Sequence, residues 1–242
     1  MPDKKIAIFG SSGGIGGAIL KQLLTDTTIK EFHCFNRSLP DNHDDPRIIN
    51  HQLDPLDETA LGELENVLPD DLHFSLIFIA LGILHDEQGL FPEKKLADLN
   101  TDNFAKAMQI NSLAPALIIK HLQKFIKRDQ ASVLAALSAR VGSISDNHLG
   151  GWHSYRAAKA ALNMLLKNIA IEFSRTKKQA IVIGLHPGTV ATKLSQPFSS
   201  NVKADKLFTP EFSAQKLLEV ITKVTVQHSG KIFAWDGKII DY

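Results

Sequence analysis

Short apolar runs rich in branched residues alternate along the chain with longer segments in which apolar residues recur three or four positions apart. The short runs are typical of buried β-strands, and the longer segments are typical of amphipathic helices. The predicted strands are KIAIF (5–9), EFHCF (31–35), RIINHQL (47–53), HFSLIFIA (73–80), ASVLAALS (131–138), QAIVIGLH (179–186) and GKIFAW (230–235). The predicted helices are 15–24, 56–67, 101–127, 153–175 and 210–227, with a further short helix around Ala97. Asp102 and Ser154 are expected near helix starts.

The alternation of strands and helices predicts a doubly wound α/β fold, with about seven parallel strands and helices on both faces of the sheet. The 242 residues, of which 44% are hydrophobic, suit a single domain spanning 1–242, and no repeat or linker divides them. Two polar stretches that contain proline, 36–46 and 192–209, are predicted loops. The second is long, and its part 195–208 is expected to act as a lid over a site.

Composition argues against several classes of function. The chain holds 27 Lys and Arg against 26 Asp and Glu, and this net charge of +1 disfavours nucleic acid or an anionic membrane as the main partner. The single cysteine, Cys34, cannot form an internal disulfide, and the first residues carry no secretory signal pattern. The longest apolar run, 76–84, is too short to span a bilayer. We therefore expect a soluble cytoplasmic protein that acts on a small molecule.

A glycine-rich turn follows the first predicted strand, in the stretch FGSSGGIGGAIL. The backbone can approach a ligand closely there, and free N–H groups at the start of the next helix favour a pyrophosphate. The spacing G-x-x-x-G-x-G differs from the general fingerprint G-x-G-x-x-G, and a turn that serves only tight strand–helix packing is the alternative. The predicted cofactor contacts in this turn are Gly10, Ser11, Ser12, Gly14, Ile15 and Gly16.

The end of the second predicted strand bears on which dinucleotide binds. An acidic residue there would bind the ribose hydroxyls of NAD, but this chain has Asn36 followed by Arg37. No carboxylate repels a 2′-phosphate and a guanidinium can bind one, so NADP(H) is favoured over NAD(H), unless Arg37 is only a solvated loop residue. Asp54, after the third strand, is expected either to accept a hydrogen bond from the adenine amino group or to form a turn.

Tyr155 and Lys159 stand four residues apart in the predicted helix 153–175, within GWHSYRAAKAALN. Positions i and i+4 share a helix face, so the ammonium is expected close to the phenol. A cation about 4 Å away, at an effective dielectric near 20, contributes about 4 kcal/mol and would lower the phenol pKa by about 3 from roughly 10. Such a phenol can donate a proton to a carbonyl oxygen or remove one from an alcohol. The spacing by itself also arises by chance.

Several motifs, in order along the chain, make it similar to the short-chain dehydrogenase/reductase family over essentially its whole length. They are the glycine-rich turn, Asn111 in MQINSLAP, Ser138 in AALSARVGS, Tyr155 with Lys159, and Pro187-Gly188 in LHPGTVATKL. Within the family, SYRAAKAALN, LHPGTVATKL and FAWDGK resemble the C-factor and sniffer-type carbonyl reductases. The resemblance implies a Rossmann fold and an NADP(H)-dependent oxidoreductase that interconverts a carbonyl and an alcohol by hydride transfer.

The resemblance also implies a role for each motif residue. Ser138 would polarise the substrate carbonyl, and Tyr155 would be the proton donor or acceptor. Lys159 would tune Tyr155 and hold the nicotinamide ribose, and Asn111 would support a water in a proton relay. Read alone, each of these residues fits a turn or a helix equally well. The remaining expected cofactor contacts are Ala80, Leu81, Gly82, Tyr155, Lys159, Pro187, Gly188, Val190 and Thr192, with Thr189 nearby.

Two positions depart from the family pattern. Residues 79–82 read Ile-Ala-Leu-Gly where many members have Asn-Asn-Ala-Gly, which removes asparagines that brace the sheet. Phe9 stands before the first glycine in place of threonine, so a side-chain hydrogen bond that ties the turn is expected to be missing. No His and Cys spacing fits a metal site, and none is predicted. Four residues are candidates to border a substrate, although surface or packing roles are favoured for them: His85, His148, Trp152 and His153.

Two other functions stay open at this point. A C-factor-like signalling or regulatory protein would bind NADP with little turnover, although the complete set of catalytic side chains argues against it. An epimerase or dehydratase is disfavoured because such relatives carry larger substrate domains. The long predicted helices 101–127 and 153–175 resemble those that pair between subunits in the family, so a homodimer or homotetramer is expected.

Overall fold

Eight strands form one mostly parallel sheet in the computed structural model, which describes residues 4–39, 45–200 and 203–242. The strands are β1 (Lys4–Phe9), β2 (Ile29–Asn36), β3 (Ile48–Gln52), β4 (Leu76–Ile79), β5 (Ser132–Leu137), β6 (Ala180–His186), β7 (Thr189–Val190), β8 (Leu207–Phe208), β9 (Ile232–Ala234) and β10 (Ile239–Ile240). The main sheet has the order β10-β9-β6-β5-β4-β1-β2-β3, and β10 runs antiparallel to β9. β7 and β8 pair with each other in a separate small sheet.

The seven predicted strands are all confirmed, and the fold is the doubly wound α/β fold that they indicated. β10 is an addition, because two apolar residues are too few to show a strand period. The order of the strands in the sheet reverses between β1 and β4, which lie side by side. Ligands of doubly wound folds bind outside the carboxyl ends of the strands at such a point, which places the glycine turn after β1 at the expected binding position.

Six α-helices lie in the described part of the chain: α1 (Gly14–Leu23), α2 (Glu58–Val67), α3 (Thr101–Met108), α4 (Ala114–Leu122), α5 (His153–Thr176) and α6 (Pro210–Ile221). Side chains accept backbone N–H groups at three helix starts, namely Asp57 at α2, Asn100 at α3 and Thr209 at α6. α1 instead starts after Gly13, without a side-chain cap. Its first N–H groups are therefore open to a ligand.

The residues of β1 show why the predicted strands lack a polar face. Ile6 and Ile8 pack into an apolar cluster with residues of α1 and α6, whereas Ala7 and Phe9 pack into a cluster with residues of α2, α4 and α5. All four side chains are buried, because helices cover both faces of the sheet. Full burial of one such large apolar side chain contributes about 1.5–3 kcal/mol.

The predicted helix 101–127 is wrong as one continuous helix. A π-helical turn, Gln109–Leu113, separates α3 from α4, and a 3-10 turn at Gln123–Phe125 ends the segment. Pro115 has no N–H with which to bind the carbonyl of Asn111 four residues earlier, so regular α-helical bonding is lost there. The predicted helix 210–227 is also too long, because α6 ends at Ile221.

Two predicted loops fall partly outside the described residues. Residues 40–44 of the loop 36–46 and residues 201–202 of the loop 192–209 are not among those described. The described part of 192–209 is not a plain loop, since it contains two 3-10 turns and β8. The short helix expected around Ala97 is a 3-10 turn at Leu96–Asp98.

Candidate active site

The predicted catalytic pair lies on α5. Tyr155 and Lys159 are one turn apart, and the Lys159 Nζ atom lies 5.8 Å from the centre of the Tyr155 ring. The Lys159 side chain is buried, and its Nζ donates a hydrogen bond of 2.8 Å to the carbonyl oxygen of Leu137 at the end of β5. The lysine therefore joins the helix to the carboxyl edge of the sheet beside the phenol.

Burial shifts the titration of both residues towards their uncharged forms. It lowers the pKa of Lys159 to about 7 and raises the pKa of Tyr155 above its usual range. The lowered phenol pKa expected from the sequence is therefore wrong for the described side chains, because burial disfavours the charged phenolate. A neutral phenol at pH 7 still carries the proton that a donor needs.

Ser138 follows β5 directly and is buried. Its hydroxyl donates a hydrogen bond of 2.6 Å to Oδ1 of Asn163, and its backbone N–H donates one of 2.8 Å to the carbonyl of Leu185 on β6. Asn163 is one helical turn after Lys159, so Tyr155, Lys159 and Asn163 share one face of α5. Sequence reasoning missed Asn163, although its spacing of four from Lys159 is a usable signal.

The buried side chain of Asn111 is occupied by backbone groups. Its Oδ1 accepts a hydrogen bond of 2.9 Å from the N–H of Ile83, and its Nδ2 donates to the carbonyls of Ile83 at 2.9 Å and Ala107 at 3.1 Å. These bonds hold the segment after β4 against the π-helical turn. A Cβ atom built on Gly82 would lie 3.2 Å from Asn111 Oδ1 and 3.6 Å from Lys159 Nζ, so these three residues meet.

The glycine turn packs closely on the end of β4 and also leaves backbone open. Gly10 has a φ of 81°, and a Cβ there would lie 2.8 Å from the carbonyl oxygen of Ala80. A Cβ on Gly16 would overlap the carbonyl oxygen of Gly10. Residues 12–14, just before and at the start of α1, are exposed. Tight packing, the alternative to ligand binding, is thus present beside the uncapped start of α1.

Asn36, the last residue of β2, ties the glycine turn to the sheet. Its Oδ1 accepts a hydrogen bond of 2.9 Å from the N–H of Ser12, and its Nδ2 donates one of 2.8 Å to Ser11 Oγ. Phe9 stacks instead on Phe35, with ring centres 4.4 Å apart. The bond that a threonine at position 9 would make is thus replaced by bonds from Asn36 on the neighbouring strand.

Arg37 and Asp54 follow β2 and β3 at the same edge of the sheet. Arg37 is exposed, and its carbonyl accepts a hydrogen bond of 3.2 Å from the side chain of Gln52. Asp54 Oδ1 accepts a hydrogen bond of 3.0 Å from the N–H of Leu56. Asp54 therefore forms a turn, and its contact with adenine and the role of Arg37 both stay predictions.

The segment after β6 comes back to the glycine turn. A Cβ built on Gly14 would lie 2.7 Å from Thr192 Cγ2, and one on Gly188 would lie 2.6 Å from the ring of Phe208. Val190 is buried in β7, and the carbonyl of Pro187 accepts a hydrogen bond of 2.9 Å from Ser213 on α6. The structure thus brings this predicted cofactor segment into contact with the predicted phosphate turn.

Four aromatic rings form a connected group beside Tyr155, here named the aromatic wall: His85, Phe91, Trp152 and Phe198. The Trp152 ring centre lies 6.2 Å from that of Tyr155 and 5.4 Å from that of Phe198. Phe198 lies in turn 5.1 Å from Phe91 and 5.8 Å from His85. Surface or packing roles were favoured for His85 and Trp152 from the sequence, and Phe91 was missed. The structure places Trp152 next to the candidate catalytic phenol, and Phe198 connects His85 and Phe91 to Trp152.

The two phenylalanines of the predicted lid have different surroundings. Phe198 belongs to the aromatic wall, but Phe208 packs on Trp235 and Phe212 at ring distances of 4.7 and 4.8 Å. Closure of 195–208 over a substrate stays a prediction. The two remaining candidates for a substrate border, His148 and His153, are exposed and half-buried respectively.

A second group of titratable side chains lies on β2 and β3, away from α5. His33 Nδ1 and His51 Nε2 are 3.1 Å apart, and His33 Nε2 lies 3.2 Å from a carboxylate oxygen of Glu31. Burial lowers the pKa of His51 to about 4 and also lowers that of His33. Within the three described ranges, no His, Cys, Asp and Glu side chains group as metal ligands would, and no helix is long and apolar enough to cross a membrane.

Comparison with known proteins gives consistent matches. The family model described as short chain dehydrogenase matches residues 76–203, more than half of the 242 residues. A 1-hydroxy-2-glutathionyl-2-methyl-3-butene dehydrogenase of Rhodococcus sp. is 32% identical over 148 residues, which are 61% of this chain and only 62% of that protein. The C-signal protein of Myxococcus xanthus is 28% identical over 142 residues, which are 59% of this chain and 80% of that protein.

Solved structures match over nearly the whole chain. The carbonyl reductase Sniffer of D. melanogaster superposes with a TM-score of 0.83 at 19% identity, covering 99% of both chains. An NADPH-bound carbonyl reductase from chicken fatty liver gives a TM-score of 0.83 at 20% identity, covering 99% of this chain and 94% of that one. These likenesses establish the fold.

Proposed function

This chain belongs to the short-chain dehydrogenase/reductase family of oxidoreductases, and we propose that it is an NADP(H)-dependent enzyme that interconverts a carbonyl and an alcohol. The observation that carries the proposal is the placement of Tyr155 on α5. The phenol lies beside the buried Lys159, which is bonded to the last residue of β5, and Ser138 is the next residue along the chain. Proton donor, cation and hydroxyl therefore converge at the carboxyl edge of the sheet.

The residues at this edge fit a dinucleotide. The uncapped start of α1 and the close backbone approach at Gly10 and Gly16 suit a pyrophosphate. Asn36 takes the place of the acidic residue that would favour NAD, and its amide is already bound to Ser11 and Ser12. Recognition of a 2′-phosphate is therefore assigned to the exposed Arg37, which supports NADP(H) over NAD(H).

The protein side chains supply polarisation and proton transfer. When bound, NADPH supplies the hydride for the carbonyl carbon. Ser138 turns its hydroxyl from Asn163 towards the substrate oxygen, and Tyr155 donates its phenolic proton to the same oxygen. Lys159, with a pKa of about 7, then stabilises the phenolate and returns a proton near neutral pH. Asn111, whose carbonyl receives no bond from Pro115, is assigned to the water of a proton relay.

The experiment is turnover of a panel of carbonyl compounds by the purified chain. Aldehydes, ketones and quinones are added with NADPH, and loss of nicotinamide absorbance is followed. Ser138→Ala should reduce the rate by about 10²-fold or more, because the transition state loses a hydrogen bond in a dry site. Ser174→Ala is the matched control, since this hydroxyl lies on α5 and binds only the carbonyl of Ile171 among the described residues. Equal rates for both variants would contradict the proposal.

A second candidate function is signalling or regulation by NADP binding with little turnover. The similarity to the C-signal protein over 59% of the chain favours it. The same assay separates the two functions when NADPH binding is titrated in parallel. Tight binding of NADPH without oxidation by any carbonyl compound would favour the second candidate.

We also propose that the chain assembles as a homodimer or homotetramer. Met164 and Ile171 on α5 and Leu113 on the π-helical turn are exposed apolar side chains on the helices expected to pair. Light scattering at micromolar concentration tests this, and a monomer would contradict it. The cytoplasmic location expected from the sequence stays a prediction.

A further inference from the structure

Trp152, the central ring of the aromatic wall, has an unusual backbone. Its φ is 51° and its ψ is 41°, and the two residues before it, Gly150 and Gly151, also have positive φ of 64° and 63°. A bulky residue rarely adopts this left-handed conformation unless its surroundings impose it. The conformation sets the direction in which the indole leaves the chain at the start of α5, one turn before Tyr155.

Glu93 imposes that conformation from the segment between β4 and α3. Its carbonyl accepts the N–H of Trp152, and one carboxyl oxygen accepts the N–H of Ser154 at 3.1 Å. The other carboxyl oxygen accepts the hydroxyl of Ser154. Glu93 is only 4% exposed, so these bonds satisfy a buried acidic group and cap α5 in place of an N-cap side chain. These bonds hold the backbone from which the indole leaves the chain.

Three chain segments converge to make the wall. His85 and Phe91 come from the segment after β4, Trp152 from the start of α5, and Phe198 from the 3-10 turn after β7. His85 Nε2 bonds the carbonyl of Lys193 at 2.9 Å, which fastens the first segment to the third. Phe91 is nevertheless 50% exposed. The other three rings are half-buried. A connected aromatic group that is only partly covered is typical of a ligand-binding surface.

We propose that the aromatic wall binds an aryl group of the substrate and that Glu93 is the residue that positions Trp152 for this contact. The inference rests on the proposed function, because it places the substrate carbonyl at Tyr155. Neighbouring rings in the wall are tilted by 51° to 65° to each other. They therefore present both ring edges and ring faces to a planar aryl group. Contacts between aromatic rings add an attraction that a saturated ring of the same size lacks.

The turnover test uses benzaldehyde and cyclohexanecarbaldehyde, which differ in aromaticity at similar size. Trp152→Leu and Phe198→Leu should each lower the ratio of kcat/KM for benzaldehyde to that for cyclohexanecarbaldehyde by about three- to tenfold relative to the wild type. Comparing ratios removes the different intrinsic reactivity of the two aldehydes. Phe104→Leu, on α3 and outside the wall, should leave the ratio unchanged. Equal losses for both aldehydes would overturn the aryl proposal.

Glu93 is tested by the same ratio. Glu93→Ala removes the two carboxyl bonds to Ser154 but keeps all rings and the carbonyl bond to Trp152, and it should lower the ratio. Glu93→Gln, which still accepts the Ser154 N–H, should restore most of it. A purely structural Glu93 would change stability and the kcat/KM of both aldehydes together. An unchanged ratio in folded Glu93→Ala would overturn the positioning role.

A binding assay tests the aromatic wall independently of the proposed catalytic function. Trp235→Phe leaves Trp152 as the single tryptophan, because the chain has two. Without cofactor, benzyl alcohol should change Trp152 fluorescence at a concentration several-fold below that needed for cyclohexylmethanol. A response with no turnover would contradict the reductase and support the wall. Turnover of the aldehydes would support the reductase. If the two alcohols then changed Trp152 fluorescence at the same concentration, or not at all, the aryl role of the wall would be overturned.

Discussion

Replacing Asn36 by alanine should destabilise the protein and weaken NADPH binding together. The change removes two hydrogen bonds, at 2.9 Å to the Ser12 N–H and at 2.8 Å to Ser11 Oγ, from a side chain only 4% exposed. At about 0.5–1.5 kcal/mol for each bond, the free energy of unfolding should fall by roughly 1–3 kcal/mol. For a chain of this length that corresponds to a decrease in Tm of roughly 2–12 °C.

The loss of the two Asn36 bonds should also loosen the glycine turn. We therefore expect NADPH affinity to fall by roughly three- to tenfold. Gln52→Ala is the matched control, because Gln52 is the β3 partner of Asn36 in the sheet register but binds the carbonyl of Arg37 and not the turn. Thermal unfolding and a fluorescence titration with NADPH measure the two effects. If Asn36→Ala melts and binds like Gln52→Ala, the amide does not hold the turn.

Three further predictions concern the cofactor, pH and the predicted lid. Arg37→Ala should weaken NADPH binding about 10- to 100-fold with little change for NADH, and equal losses in titrations of both would show that Arg37 does not read the 2′-phosphate. The folded-state pKa of His51 is depressed to about 4 by burial, so the free energy of unfolding is highest above about pH 6.5 and falls as the pH drops towards 4, because the unfolded chain binds the proton more readily. Chemical denaturation should show a smaller loss between pH 7 and pH 5 in His51→Gln, and an equal loss would refute the assignment. Hydrogen exchange in 195–208 should slow when NADP and a substrate analogue are added, and unchanged exchange would count against closure.

The sequence predicts the sheet well because the central strands are nearly continuous apolar runs, which follows from burial on both faces. It also places Ser138, Tyr155 and Lys159 on elements that do meet, since a strand end and a helical spacing of four are local properties. The interruption at Asn111 is harder to foresee. Its cause includes bonds to Ile83, which is 28 positions away, although Pro115 is a local warning.

The site features that the sequence missed depend on contacts between distant segments. Asn36 reaches the glycine turn because β2 lies beside β1, and no spacing in the sequence encodes that bond. Glu93 and Trp152 are brought together by loops of irregular backbone. The raised pKa of Tyr155 also depends on how distant segments of the chain cover the phenol, which the spacing of Tyr155 and Lys159 does not encode.

The proposed mechanism depends on the phenol of Tyr155, and Tyr155→Phe removes only its oxygen. The chain has two tyrosines, so Tyr242→Phe, which deletes the hydroxyl bonded to the carbonyl of Gly230, is the matched control. With the best carbonyl substrate, Tyr155→Phe should lose at least about 10²-fold in kcat, because the forming alkoxide has no proton donor. NADPH affinity should stay within about twofold, and Tyr242→Phe should turn over at nearly the wild-type rate. Turnover by Tyr155→Phe at the rate of Tyr242→Phe would contradict the mechanism.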